Sequence, residues 1–278
     1  MISEQLNPEL ISHIRGAHLL LVEDNEINRQ VAQEMLEGFG LEVTTAENGE
    51  EAIALLEAEE FDGVLMDMQM PVMDGVTATR VIRKNPRFSK LPIIALTANV
   101  MVSEQNEFVG AGITDYIGKP IDPDRLVTTL AKWVRPARTT ANAAGSAPVV
   151  QEVQKSESET LPNLPGVNVA ETVRRMGGSV ALYCTLLDKF RVKERNIVTT
   201  IRETLAAGDR STAERLAHTL RGTAGTLGAK TLQELAASLE SCIHKAEFGE
   251  VDSLLGRIDR ELAAFIAGID QTLEARQV

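Results

Sequence analysis

Four apolar runs in the first half of the sequence each end on a residue that can do chemistry. Leu19-Leu20-Leu21-Val22 runs into Glu23 and Asp24, and Val64-Leu65-Met66 into Asp67. Ile93-Ile94-Ala95-Leu96 runs into Thr97, and Tyr116-Ile117-Gly118 into Lys119. One acid at the end of a strand is commonly a cap for the next helix. Four such ends mean more if the strands are parallel, because all of them then open on one edge of the sheet. That edge would gather three carboxylates, a hydroxyl and a lysine. Carboxylates crowded this closely repel by roughly several kcal/mol at an effective dielectric of ~20, so a cation must offset them. Oxygen-only ligands suit Mg²⁺, which keeps several waters and recruits phosphate. The set fits phosphoryl transfer to a carboxylate. Asp67 attacks phosphorus, Mg²⁺ and Lys119 offset charge on the phosphoryl oxygens, and Thr97 donates a hydrogen bond. Lys119-Pro120 also permits a cis peptide bond.

A second candidate lies in the C-terminal half, in Ala217-His218-Thr219-Leu220-Arg221-Gly222-Thr223-Ala224-Gly225. On a helix turning about 100° per residue, His218 falls roughly 150° from the apolar stripe and is expected to face solvent. Arg221, Gly222 and Gly225 share its face. Two glycines inside a helix cost about 1 kcal/mol each against alanine, so bulk has been given up beside this histidine. Close approach of a partner would explain that. Arg221, one turn away, can pair with a phosphoryl group carried on the imidazole. His13, His18 and His244 are weaker candidates, and no pair of histidines has metal-ligand spacing.

The elements that must position these groups follow from periodicity. Strands at 18–22, 41–45, 62–66, 93–96 and 114–118 alternate with helices near 26–38, around Ala52, Ile53, Leu55 and Leu56, through Val76, Ala78, Val81 and Ile82, and near 101–109 and 123–134. Five strands and five helices joined by short loops imply right-handed crossovers and a parallel sheet covered on both faces. From about residue 167 the pattern is helical only. Four apolar stripes begin at Leu182, Ala213, Leu232 and Val251, with Gly208, Gly228 and Gly249 at the breaks. They predict an antiparallel four-helix bundle. The fold class is therefore α/β plus all-α. The expected divisions are a lead-in at 1–16, an α/β domain at 17–135, a linker at 136–165 and the bundle at 166–278. The linker is rich in Ala, Thr, Ser, Gly, Glu and Pro and is expected to be flexible.

Composition narrows the classes. The net charge is −12, and residues 1–135 hold 22 acidic against 11 basic residues, so the acidity belongs to the first domain. This argues against nucleic acid or an anionic membrane surface as partner. The two cysteines, Cys184 and Cys242, have no CxxC spacing and read as reduced core thiols. No apolar run approaches the ~20 residues of a membrane span. The expected location is the cytoplasm.

Val22-Glu23-Asp24-Asn25, Met66-Asp67-Met68-Gln69-Met70-Pro71, Asp74-Gly75, Leu96-Thr97-Ala98 and Lys119-Pro120 together resemble a response-regulator receiver domain. Asn28 and its neighbours resemble the receivers of hybrid sensor kinases. The resemblance implies that Asp67 accepts the phosphoryl group. Asp24 would bind Mg²⁺ directly, Glu23 through water, and the Gln69 backbone carbonyl would be a further ligand. Thr97 and Lys119 would hold the phosphoryl oxygens, and Tyr116 would be a switch aromatic. The second candidate resembles a histidine phosphotransfer (HPt) domain. His218, Leu220, Arg221, Gly222 and Gly228-Ala229 match its pattern, with Arg221 where the family usually has lysine. His218 would then be phosphorylated, with Arg221 and Gly222 close to the phosphoryl group. Arginine keeps the charge but changes the donor geometry.

The combined reading is a two-component phosphorelay protein. It would take phosphate from a sensor histidine kinase, exchange it between Asp67 and His218, and pass it to a downstream response-regulator receiver. The sequence shows no ATP-binding kinase core, so its status as an enzyme is open. It reads either as the C-terminal part of a hybrid kinase or as a stand-alone protein resembling one. Competing readings are a phosphorylation-gated adaptor or a phosphate sink without intramolecular transfer. A haloacid-dehalogenase-type phosphatase would need an Asp two residues after Asp67, where Gln69 stands.

Overall fold

The computed structural model describes residues 7–97, 102–136, 161–162 and 164–276. Most of the expected linker, and Ala98 of the Leu96-Thr97-Ala98 motif, lie outside them. The first domain has the element order α1 (Pro8–Ile14), β1 (His18–Val22), α2 (Glu26–Gly38), β2 (Glu42–Ala46), α3 (Gly49–Ala58) and β3 (Gly63–Asp67). It continues with α4 (Gly75–Lys84), β4 (Ile93–Thr97), α5 (Val102–Ala111), β5 (Asp115–Gly118) and α6 (Pro123–Trp133). The five strands form one sheet in the order β2-β1-β3-β4-β5. Pairing of β1 with β2, β1 with β3 and β3 with β4 is parallel throughout.

The central strands β3 and β4 are buried at every position. Continuous apolar runs are what a strand covered on both faces requires. Alternate residues separate the two faces. Leu20, Val22, Val64, Met66, Ile93 and Ala95 join one core with Ala52 and Leu56 of α3, Ala78 and Ile82 of α4 and Phe108 of α5. Leu19, Leu21, Leu65, Ile94 and Leu96 are equally buried on the opposite face. The edge strand β2 is mostly half-exposed, as Glu42-Val43-Thr44-Thr45 predicts. Val81, in the apolar stripe of α4, is 37% exposed. It sits one residue before the buried Ile82, at the rim of the stripe. The expected lead-in contains a helix. The Asn7 side chain caps α1 through the Glu9 N–H, Pro8 stands in its first turn, and α1 packs against α6. That cap-and-proline signal was present in the sequence.

The second domain comprises α7 (Val169–Arg175), α8 (Val180–Lys193), α9 (Ile197–Ala206), α10 (Arg210–Thr226), α11 (Lys230–Lys245) and α12 (Val251–Ala275). Helices α8 to α12 make the bundle, with α10 packed against α9 and α11, and α12 against α8, α9 and α11. The first stripe is divided between two helices, α8 and α9, separated by Glu194-Arg195-Asn196. The helical bonding restarts there with the Ile197 N–H on the Glu194 carbonyl. In the core, Tyr183 is fully buried and its hydroxyl donates to the Leu227 carbonyl at 3.0 Å. Phe190 meets Phe265 edge-on, with ring centroids 5.4 Å apart. Cys184 and Cys242 are half-buried thiols outside any disulfide rather than core residues.

Gly228-Ala229 ends α10 in a reciprocal cap. The Ala229 N–H donates to the Ala224 carbonyl and the Gly228 N–H to the Gly225 carbonyl, with Gly228 at φ +81°. A left-handed residue is needed at that position. A Cβ there would also lie 2.4 Å from Thr172 Oγ1.

Candidate functional site

The strand register builds the first site. Val22 pairs with Met66, so Glu23 and Asp24 leave β1 beside Asp67 at the end of β3. Asp67 pairs with Leu96, which places Thr97 one residue further along β4. Glu23, Asp24 and Asp67 each bring a carboxylate oxygen within 4.8 Å of the others. Glu23 is 2% and Asp67 1% exposed, while Asp24 is half-buried. Three carboxylates at such separations repel by roughly 3 kcal/mol or more per pair at an effective dielectric of ~20. The donor set is oxygen only, which fits a hard divalent cation such as Mg²⁺.

Local chemistry holds these ends in place. The Asn25 side chain accepts from the Ile27 and Asn28 N–H groups and starts α2 directly after Asp24. The Gln69 N–H donates to Asp67 Oδ1 at 3.3 Å, which directs the carboxylate. Asp74 caps α4 by accepting from the Thr77 N–H and hydroxyl, each at 2.8 Å. Gly75 is then forced. A Cβ on it would sit 2.1 Å from the Asp67 carbonyl oxygen, so only glycine lets α4 start against the end of β3. Thr97 is buried at the end of β4, and Lys119 follows β5 with a cis peptide bond to Pro120. Tyr116 packs against the first-domain core, with the Arg125 guanidinium 5.9 Å from its ring centroid.

The second candidate differs from expectation. His218 lies on α10 but is 7% exposed rather than open to solvent. Side chains of α11 reach onto the face that the wheel leaves bare. His218 Nδ1 is hydrogen-bonded to Glu240 Oε1 at 2.9 Å, and Arg221 Nη1 donates to Glu240 Oε2 at 2.7 Å. Burial alone would push the Glu240 carboxyl up, but hydrogen bonds and charge from His218 and Arg221 outweigh it and hold the group below its usual range. His218 Nε2 is buried and makes no hydrogen bond among the described residues. Gly225, read as space for a partner, serves packing between helices, since a Cβ there would lie 2.6 Å from the Gln233 amide nitrogen.

Sequence reasoning missed Glu240. It stands 22 residues after His218, on another helix, among ordinary polar positions. Only the packing of α10 on α11 brings the two together.

Comparison with known proteins separates the same two parts. Residues 19–131 match the response regulator receiver domain, and residues 185–272 match the Hpt domain. The chain joins a receiver domain to an Hpt domain. Its relatives include the sensor protein GacS of Pseudomonas syringae pv. syringae, 40% identical over 48% of this chain and 15% of GacS. The aerobic respiration control sensor protein ArcB of Escherichia coli K12 is 32% identical over 81% of this chain and 28% of ArcB. Among solved structures, the receiver domain of sensor histidine kinase PA1611 from Pseudomonas aeruginosa is 40% identical. That likeness covers 42% of this chain and 97% of that one, with a TM-score of 0.41. The chain spans 15–28% of the length of the curated relatives named here. Both domains belong to two-component phosphorelay signalling. No helix among the described residues is long and apolar enough to cross a membrane.

Two of the remaining histidines have structural partners. His18 Nδ1 is bonded to the Glu60 carbonyl and Nε2 to Thr44 Oγ1, and His244 Nδ1 to Glu214 Oε1.

Proposed function

We propose that the receiver accepts a phosphoryl group on Asp67 from a phosphohistidine donor and exchanges it with His218 of the Hpt domain, which passes it to a downstream receiver. The observation that carries this reading is the meeting of Glu23, Asp24 and Asp67 within 4.8 Å at the sheet edge. An acidic cluster buried this deeply has little use in stability and a direct use in gathering a cation and a phosphate. Glu23, Asp24, Asp67 and the Gln69 carbonyl would hold Mg²⁺. When bound, it supplies positive charge that offsets the repulsion between these acids and the incoming phosphoryl group.

The work of the chain's own groups follows. A carboxylate oxygen of Asp67 forms the new bond to phosphorus while the P–N bond of the donor breaks, and the electron pair returns to the donor imidazole. Lys119 and the Thr97 hydroxyl bind phosphoryl oxygens, and Tyr116 responds to the shift of Thr97. The resulting acyl phosphate is the donor to an imidazole. Arg221 pairs with the phosphoryl group when His218 carries it, and Gly222 leaves room beside it. The donor kinase and the downstream receiver are recognised as partners by these two chemistries. A sensor histidine kinase and a response regulator are the classes implied.

The test is labelling of the purified chain by acetyl phosphate with Mg²⁺. The wild type should carry alkali-stable, acid-labile label on histidine, lost in both Asp67→Ala and His218→Ala. Full labelling of Asp67→Ala would refute the acceptor assignment. Alkali-labile label that survives His218→Ala in unchanged amount would favour an adaptor without transfer inside this chain.

A further inference from the structure

The geometry points to α1 as a brace that sets the position of Lys119 against the acidic cluster, with Ile14 as the positioning residue. This rests on the reading of Lys119 as a group that binds phosphoryl oxygens, and goes beyond it by naming what holds the lysine there. A helix of seven residues does not persist alone in water, because too few hydrogen bonds offset the cost of nucleation. The order of α1 therefore comes from what it packs on. Leu10 and Ile11 are half-buried, Ile14 is fully buried, and these three positions share one face. The helix packs against α6.

The connector from α1 into β1 is stitched to the sheet. The Gly16 N–H donates to the Gly40 carbonyl at 2.8 Å, and the Glu42 N–H donates to the Ala17 carbonyl at 2.9 Å. The Arg15 side chain lies across Gly40, where a Cβ would be 3.0 Å from its Nη1. Ala17 is fully buried. One end of α1 is thus rooted at the starts of β1 and β2, while the helix rests on α6.

Helix α6 and strand β5 close a loop that contains Lys119. β5 ends at Gly118, and residues 119–122 lead into α6, where Asp122 caps the first turn by accepting from the Arg125 N–H at 3.0 Å. The far ends are joined as well. Trp133 Nε1 and Lys132 Nζ both donate to Asp115 Oδ2, at 2.7 Å and 3.0 Å. A shift of α6 is therefore carried to Lys119. Glu23, Asp24 and Asp67 stand at the ends of β1 and β3 and do not belong to this loop. α1 connects the two, because it is rooted at the strand that leads to Glu23 and Asp24 and leans on the helix that follows Lys119. Transfer to Asp67 needs the lysine and the acids in matched positions, and a displacement of about 1 Å costs up to roughly a hundredfold in rate.

The experiment uses the full chain, acetyl phosphate and Mg²⁺. Ile14→Ala empties the buried end of α1. Its initial rate of labelling at saturating Mg²⁺ should fall about tenfold. Mg²⁺ affinity without phosphodonor, read by calorimetry, should stay within about twofold of wild type, since the oxygen ligands are untouched. Ile14→Val removes a single methyl group and should label at close to the wild-type rate. Lys119→Ala should slow labelling at least as much as Ile14→Ala. Adding Ile14→Ala to Lys119→Ala should cause little further loss, as expected of two changes that act through one group. An unchanged rate in Ile14→Ala, or a Mg²⁺ affinity that falls in step with the rate, would overturn the brace. So would an equal loss from Ile14→Ala in the Lys119→Ala background. If Trp133 fluorescence shows that Ile14→Ala does not fold, Asn7→Ala removes only the cap of α1 and should slow labelling about threefold. An unchanged rate there overturns the proposal. A Lys119→Ala chain that labels at the wild-type rate refutes the reading of Lys119 and the brace with it, whereas the other adverse outcomes remove the brace alone.

Discussion

The two phosphoryl-acceptor candidates are built by opposite means. Asp67 is placed by backbone. Parallel strands end side by side, and Glu23, Asp24, Asp67 and Thr97 inherit their positions from register. His218 is placed by side chains, with two turns of one helix and one carboxylate from the next converging through packing. The first arrangement has few adjustable parts, since the acid lies where β3 stops and α4 begins against its carbonyl. The second can be changed by a single rotamer.

The same contrast governs what was legible. Backbone placement leaves short motifs at each strand end, so Glu23, Asp24, Asp67, Thr97 and Lys119 could be named from the sequence alone. Gly75 could be noted as a motif, though its reason is a carbonyl from another element. His218 and Arg221 were visible as a pair one turn apart. Glu240 was not, because a glutamate among polar positions on a helix carries no local signal. The solvent-facing expectation for His218 failed for the same reason. A helical wheel describes one helix and takes no account of side chains arriving from its neighbour. The break between α8 and α9 also escaped, since the apolar stripe runs through it in phase.

The largest effect should come from testing backbone placement directly. Gly75→Ala sets a Cβ 2.1 Å from the Asp67 carbonyl oxygen and 2.7 Å from Met68 Cε. The methionine can move and the strand cannot. α4 must lift, at a cost of about 3 kcal/mol or more. The sole tryptophan, Trp133, donates its indole N–H to Asp115 and belongs to the receiver, so its fluorescence follows that domain in urea. The midpoint should fall, and labelling of Asp67 should fall further than the lost stability explains. Labelling at the wild-type rate would break the claim that the acceptor is held by its backbone.

Next in size is a comparison inside the Hpt domain. Glu240 and Glu194 are both buried, and they shift in opposite directions. Glu240 has His218 and Arg221 and is held low. Glu194 is 4% exposed and burial pushes it up to about 7, opposed by the charge of Lys193. Between its ordinary value and about 7 the folded domain binds more protons at Glu194 than the unfolded chain does. Stability is therefore undiminished by this group at low pH and declines as pH rises through that window. The full penalty above it is about 3 kcal/mol. Glu194→Gln should stabilise the helical signal in circular dichroism by up to that amount at pH 8 and leave it unchanged near pH 4. Glu240 contributes the other way, with stability present above its ordinary value and lost as pH falls through its lowered one. Equal stabilisation by Glu194→Gln at both pH values would show that the carboxyl is not the source.

The smallest effect sharpens the side-chain half of the contrast. Gly225 sits inside α10, and a Cβ there would meet Gln233 Nε2 at 2.6 Å and Cδ at 2.8 Å. Both atoms belong to the far end of a flexible side chain, unlike the carbonyl that faces Gly75. Gly225→Ala should gain up to about 1 kcal/mol of helix propensity and lose a similar amount as Gln233 changes rotamer. The net change in thermal midpoint should be within about 2 °C of wild type, as expected when ~1 kcal/mol shifts it by only a few degrees. The hydrogen bond between His218 and Glu240 should persist, because Glu240 lies elsewhere on α11. A large loss of stability would mean that α10 and α11 are held at a fixed separation by this glycine. The second site would then depend on backbone approach as the first does, and the distinction between the two would disappear.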